Sequence, residues 1–171
     1  MSIILGIDPG SRLMGYGIVA LNKQSIEHID HGTLIIKGSS MSEKCHDIFK
    51  QLNVIIKQYQ PNSAAIEEVF FAKNPRSALV LGQARGAALT AMAYHQLKPE
   101  EYAARAIKQS ITGSGKANKQ QVQQMVKMLL KLNSIPANDA ADALACAICH
   151  CHHQGLLAKM NKATITAGRR T

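Results

Sequence analysis

Residues 2–8, Ser-Ile-Ile-Leu-Gly-Ile-Asp, form a mostly continuous apolar run that ends on an acid and is stopped by Pro9-Gly10. A run this short, bounded by turn chemistry, reads as a buried strand. Proline fixes φ and glycine accepts φ > 0, which suits a tight turn. The same residues argue against an export signal, because no basic stretch precedes the apolar run and Asp8 lies directly behind it. No segment is long and apolar enough to span a membrane. Without an export signal, four cysteines point to a reducing cytoplasm rather than to disulfides.

The rest of the chain supplies cover for that strand. At 171 residues and 46% hydrophobic it suits one compact domain with a real core. Gly15–Leu21 reads as a second strand and Gly32–Ile36 as part of a third, and their short connections make an antiparallel meander. Ser40 and Glu43 match a capping box, and Cys45, Ile48, Leu52, Ile55 and Tyr59 recur behind them at three- and four-residue intervals. That is an amphipathic helix, ended by Pro61-Asn62. Ala64–Glu67 reads as a short buried strand, an Ala/Gly-rich helix runs from about Arg76 to His95, and a short strand is expected near Tyr102–Ala106. Gly113-Ser114-Gly115 is a loop, Lys119–Leu132 a helix broken by Pro136, and Asp139 to about His153 the final helix. This order predicts an α/β domain over residues 1–155, a mixed five-stranded sheet flanked by helices, with a basic, mobile tail over 156–171.

Charge narrows the partner. Twenty Lys and Arg against eleven Asp and Glu leave a net charge of +9. Such an excess favours a polyanion, because neutralising phosphates releases condensed counterions. Between Tyr102 and Asn138 there is no acid, but Arg105, Lys108, Lys116, Lys119, Lys127 and Lys131 are present. The acids that remain stand at telling places. Asp8 ends one apolar strand and Glu67 another, where a buried carboxylate needs a partner charge or a metal. Asp139 and Asp142 are three residues apart at a helix start and share one face. A single acid there is ordinarily explained by the helix dipole, but the surrounding alanines suit a helix pressed close against a sheet. Four such acids fit hard divalent cations such as Mg²⁺, which take oxygen ligands and keep some waters. Two ions about 3.5–4 Å apart activate water and stabilise the leaving oxygen of a phosphodiester. The pattern therefore predicts a metal-dependent nuclease. Glu68 falls on the opposite face of its strand and reads as a bystander.

Four segments in order carry a resemblance: Leu5-Gly6-Ile7-Asp8-Pro9-Gly10-Ser11-Arg12, Ile66-Glu67-Glu68-Val69-Phe70, Leu81-Gly82-Gln83-Ala84-Arg85-Gly86 and Asp139-Ala140-Ala141-Asp142-Ala143-Leu144-Ala145. Together they resemble the RuvC family of bacterial Holliday-junction resolvases, from the N-terminus to about His153. The resemblance implies a ribonuclease-H-like fold and a homodimer nicking two strands of like polarity at a four-way DNA junction, in recombination and repair. It implies that Asp8, Glu67, Asp139 and Asp142 bind Mg²⁺, two ions per site with Mn²⁺ able to substitute. Water then attacks in line and leaves 5′-phosphate and 3′-hydroxyl ends. It also implies that Phe70 stacks on or wedges between bases near the crossover, that Lys108 and Lys119 contact the scissile region, and that the branch-migration proteins RuvA and RuvB are partners. By strand alternation either Phe70 or Phe71 must point inward. The Ala/Gly-rich stretch around Gly82–Ala91 is a candidate dimer face.

Cys146-Ala147-Ile148-Cys149-His150 spells a haem-attachment pattern, but that chemistry needs export. Cys146, Cys149, His150 and His153 on one helix do not readily enclose zinc tetrahedrally. Cysteine acting as a small hydrophobe in a helix buried on two sides explains them. The rival functions are another nuclease on the same fold, a non-catalytic DNA-binding module, and an actin-like nucleotide-binding fold for which the chain is too short.

Overall fold

The N-terminal apolar run has no alternation because both its faces are covered. In the computed structural model, which describes residues 1–22, 25–68 and 74–167 and side chains as far as residue 155, it is strand β1 (Ser2–Asp8), at the centre of a five-stranded sheet. β1 pairs antiparallel with β2 (Leu13–Leu21), which pairs antiparallel with β3 (Ile26–Ile35). On its other side β1 runs parallel to β4 (Ser63–Glu67), and β4 parallel to β5 (Pro99–Tyr102). The order is β3-β2-β1-β4-β5, a mixed sheet with the expected meander at one end.

Helices cover both faces. Helix α1 (Met41–Tyr59) starts on a complete capping box between Ser40 and Glu43. Helix α2 (Pro75–Tyr94) starts with Pro75 behind an Asn74 cap, whose side chain accepts from the Arg76 N–H at 2.9 Å. These two helices close Leu5, Ile7, Met14, Ile18 and Ile66 beneath Ile48, Leu52, Ala84, Ala88 and Met92. The other face, with Ile4, Val19 and Ala65, is covered by α5 (Asn138–Ala167), over which α3 (Ala104–Thr112) and α4 (Lys119–Leu129) pack.

Three sequence expectations need adjustment. The strand expected near Tyr102–Ala106 is instead β5, earlier in the chain, followed by α3. Ile107 and Ile111, four apart and both buried, are the helical signal in that stretch. Pro99, Glu100 and Glu101 hide the strand in the sequence, and β5 tolerates proline and charge because it lies at the sheet edge. Helix α4 stops at Leu129, before the expected Leu132, and Lys131 takes φ 53 just beyond it. Helix α5 continues past His153 to Ala167, so its backbone runs on through most of the segment expected as a tail, while the side chains beyond residue 155 and residues 168–171 lie outside the described residues.

The tightest seam is between α5 and the centre of the sheet. A Cβ at Gly6 would fall on the Ala143 carbonyl and the Ala147 amide, one at Gly15 on the Asp139 carbonyl, and one at Gly17 on Leu144. Gly6 and Gly17 are direct cross-strand partners, so α5 rests in a trough of missing side chains. Residues 140, 141 and 143–151 of this helix are all buried. Gly15→Ala or Gly6→Ala should therefore cost at least about 1–3 kcal/mol by overpacking against backbone that cannot yield. Gly155→Ala, where an added Cβ meets nothing within 4 Å, should instead gain about 0.5–1 kcal/mol of helix stability. Urea denaturation of the three variants checks the contrast.

Candidate active site

Parallel pairing places the first two acids. β1 and β4 run side by side in register, Ile7 opposite Ile66, so their next residues, Asp8 and Glu67, end neighbouring strands at the same rim. Alternation turns Gly6 and Asp8 toward α5, and Ala65 and Glu67 likewise. The third and fourth acids arrive through α5. Gly15, the cross-strand partner of Asp8, lies directly under the Asp139 carbonyl, which sets the first turn of α5 beside the end of β1. Asp142 follows one turn on.

Asp8, Glu67 and Asp142 line one pocket of about 230 Å³. Its other walls are Lys108 with Ala104 and Ile107 from α3, and Lys119 with Val122 from α4. Asp139 stands beside the pocket rather than in its lining, and its charge is felt by both Asp8 and Asp142. The carboxylates are held in an environment that resists their ionisation. Burial, and after it the fields of Glu67, Asp142 and Asp139, push the Asp8 carboxyl up to about 8, against a smaller opposing pull from Lys119. Burial and Asp142 raise Glu67, with Lys108 and Lys119 pulling it back. Burial also raises Asp142, opposed first by Lys119.

The lysines do not balance these charges. Lys119 Nζ is 3.8 Å from Asp142 Oδ2, and the lysine side chain is 71% exposed. A pair this long and solvated contributes about 0–1 kcal/mol. A partly buried cluster of hard oxygen donors with unmet negative charge suits a hard divalent cation. Among the described residues no three Asp, Glu, His or Cys side chains stand as a ready-made metal cage. Like-charged carboxylates repel one another, and a hard cation such as Mg²⁺, which keeps several of its waters, would not need every one of them as a direct ligand. The donor chemistry therefore fits Mg²⁺ or Mn²⁺.

The remaining sequence candidates fall around this centre. Lys108 and Lys119 line the acidic pocket, whereas Lys116 lines a neighbouring cleft among Gln120, Gln121, Gln123 and Gln124. Glu68 lies outside the acidic pocket, its N–H donating to the Tyr102 carbonyl at 2.9 Å. Phe70 and Phe71 lie outside the described residues. What the sequence reading missed is the α3 wall, because Ala104 to Lys108 was read partly as strand. Cys146, Cys149 and Cys151 are buried in the core on α5. Burial, followed by the fields of Cys149, Glu67 and Asp8, holds the Cys146 thiol well above its ordinary value, so it is a neutral floor under the acids. His150 is fixed away from them by Tyr102 Oη at 2.9 Å and Ser63 Oγ at 3.2 Å. Ser63 opens β4, at the opposite rim of the sheet from Glu67. Among the described residues no helix is long and apolar enough to cross a membrane.

The comparisons with known proteins agree with this geometry. The family model described as crossover junction endodeoxyribonuclease RuvC matches residues 4–150. A protein of that name from Tolumonas auensis is 51% identical over 160 residues, covering 94% of this chain and 92% of the relative. Another from Psychromonas ingrahamii is 55% identical over 152 residues, covering 89% and 88%. Among solved structures, Thermus thermophilus RuvC in complex with Holliday junction substrate superposes with a TM-score of 0.85 at 28% identity, covering 91% of this chain and 96% of that one. The mixed sheet and its helical layers are thus the ribonuclease-H-like architecture of that relative. With the family model matched across all the described carboxylates and close relatives spanning nearly the whole chain, this protein belongs to the RuvC family of crossover junction endodeoxyribonucleases.

Proposed function

We propose that this chain resolves four-way DNA junctions by metal-dependent hydrolysis of phosphodiesters, with Asp8, Glu67, Asp139 and Asp142 as the metal-binding acids. The observation that carries the reading is the pocket in which Asp8, Glu67 and Asp142 meet between Lys108 and Lys119. The same rim lies in a family whose Thermus thermophilus member is solved with Holliday junction substrate. Asp8, Glu67 and Asp142 hold Mg²⁺, with Asp139 at the edge of the set and Mn²⁺ as an alternative ion. When bound, the metal supplies an activated water and neutralises charge on the leaving oxygen.

The chain's own groups do the rest. Lys108 and Lys119 bring positive charge to the wall facing the acids, where a scissile phosphate must enter against the carboxylates' repulsion. Ile107 and Val122 form an apolar side that limits bulk water. In-line attack gives 5′-phosphate and 3′-hydroxyl ends. Phe70 acts on the bases near the crossover. A junction has approximate two-fold symmetry, so a homodimer presents one site to each of two like strands. The dimer face is assigned to α2, where a Cβ at Gly82 or Gly86 would meet nothing within 4 Å and Leu79 is 69% exposed. Residues 1–155 form the nuclease unit, acting in the cytoplasm with RuvA and RuvB.

Three outcomes test this reading. Asp8→Asn should lower Mg²⁺-dependent nicking of a synthetic four-way junction by at least about a hundredfold, roughly 3 kcal/mol of barrier. Junction binding should be kept or improved, because one negative charge has left the phosphate path; gel-shift and cleavage assays on the same junction read both. Equal cutting of linear duplex by the wild type would sink the junction assignment. Second, Asp8 titrates near 8 in the metal-free fold against an ordinary 3.8, so the stability it supports is full below about pH 4 and lost as pH rises through about 8. Melting temperature in chelator should therefore fall from pH 6 to 9 more steeply in wild type than in Asp8→Asn. Third, Gly86→Leu should shift the molecule from dimer to monomer by light scattering; an intact dimer would remove α2 from the interface.

A further inference from the structure

Beyond the acidic pocket, the same rim of the sheet carries a second, chemically opposite cleft. Ser11 and Arg12 from the turn after β1, and Arg76, Ser77 and Val80 from the start of α2, line a cleft of about 330 Å³. Every polar side chain in it is a hydrogen-bond donor, two of them guanidiniums, and no carboxylate lines it. Among the described residues neither Arg12 nor Arg76 makes an ion pair, although Arg85 and Lys119 do. Both arginines spring from fixed backbone. The Arg12 carbonyl accepts from the Ile36 N–H at 2.9 Å, and the Arg76 N–H donates to Asn74 Oδ1 at 2.9 Å. Two guanidiniums from different segments, converging with two hydroxyls, match the oxygens of a phosphodiester.

We propose that the Ser11-Arg12-Arg76-Ser77 cleft grips a backbone phosphate of the DNA strand being cut, away from the scissile one. This rests on the nuclease reading above and adds a second anchor to it. The position supports the class of ligand. Asp8 ends β1, Arg12 lies in the turn between it and β2, and Arg76 lines the same cleft as Arg12, so both clefts open on one rim. Arg12 lies four residues past Asp8, a chain length of at most about 14 Å. At about 3.4 Å of axial rise per nucleotide in one strand, that spans roughly four nucleotides. Lys108 and Lys119 reach the acids from the α3 and α4 side of the sheet, whereas Arg12 and Arg76 stand toward α2. A strand crossing the carboxylates thus meets positive charge on both sides of the cut. Contacts of this kind fix register and carry no sequence preference of their own.

Fluorescence anisotropy of a labelled four-way junction, with Asp8→Asn as the non-cutting parent in Mg²⁺, tests this across a salt series. Adding Arg12→Ala and Arg76→Ala together should weaken binding at least fivefold and reduce the slope of log affinity against log salt by about 1, the loss of one neutralised phosphate. Arg12→Lys with Arg76→Lys should keep the slope while still losing affinity, because charge stays and the forked geometry goes. Lys57→Ala, in the last turn of α1 and leading toward the opposite rim, is the control and should change neither. Both arginines are exposed, so the melting temperature should hold, and it is measured alongside. A double alanine variant that binds with the parent's affinity and slope overturns the inference while leaving the nuclease reading intact. A parent that fails to bind the junction overturns both.

Discussion

Everything at the acidic rim depends on how closely α5 approaches the sheet. Helices usually ride on sheets with side chains between them, but here Gly6, Gly15 and Gly17 remove that layer along the line where α5 crosses β1 and β2. The helix answers with Ala140, Ala143 and Ala147. Lost side-chain volume on both partners is what brings the Asp139 carbonyl down onto Gly15, and with it Asp142 into the pocket of Asp8. The arrangement also explains why α5 is buried on its outer side. A helix that sits this deep leaves room for α3 and α4 above it, and those two helices carry Lys108 and Lys119.

That packing is purchased against electrostatics. Burial first, and then the fields of the neighbouring carboxylates, push the Asp8 carboxyl up to about 8. A fold built only for stability would place an arginine in bidentate reach or replace one acid by an apolar residue. Instead the nearest ammonium is solvated and 3.8 Å away. Perturbed titration in a cleft marks function more often than structure, and an external cation would relieve the repulsion. The cysteines beneath the acids follow the same logic. A small neutral thiol at position 146 fills space under Asp8 and Glu67 without adding a further charge or demanding a hydrogen bond.

How much of this was legible beforehand varies with the physics. β1 and α1 were plain, since an unbroken apolar run and a capping box are local signals that the final fold obeys. The acids at the ends of β1 and β4 were legible because a carboxylate closing an apolar strand is locally unfavourable and needs a reason. β5 and α3 were not. Their boundary depends on β5 being an edge strand, which is a fact of topology and not of the residues Pro99–Tyr102 themselves. The relative standing of Asp139 and Asp142 was equally hidden. Both share a helix face, and only the depth to which Gly15 lets α5 sink decides that Asp142 enters the pocket while Asp139 stays beside it.

Glycine at position 15 thereby ties fold and chemistry in one residue. It sits opposite Asp8 in the antiparallel ladder, so any side chain there lifts the start of α5 at the very point where two acids join a third. A lift of one methyl group would barely disturb the far end of the helix, where His150 is held by Tyr102 and Ser63. Its first effect falls on the acidic end, where the Asp139 carbonyl rests on Gly15. The position of the α5 backbone that carries Asp139 and Asp142 is therefore set by backbone contact, which is stiff. Metal sites that must hold a phosphodiester in line need that stiffness, because a displacement of about 1 Å costs on the order of a hundredfold in rate.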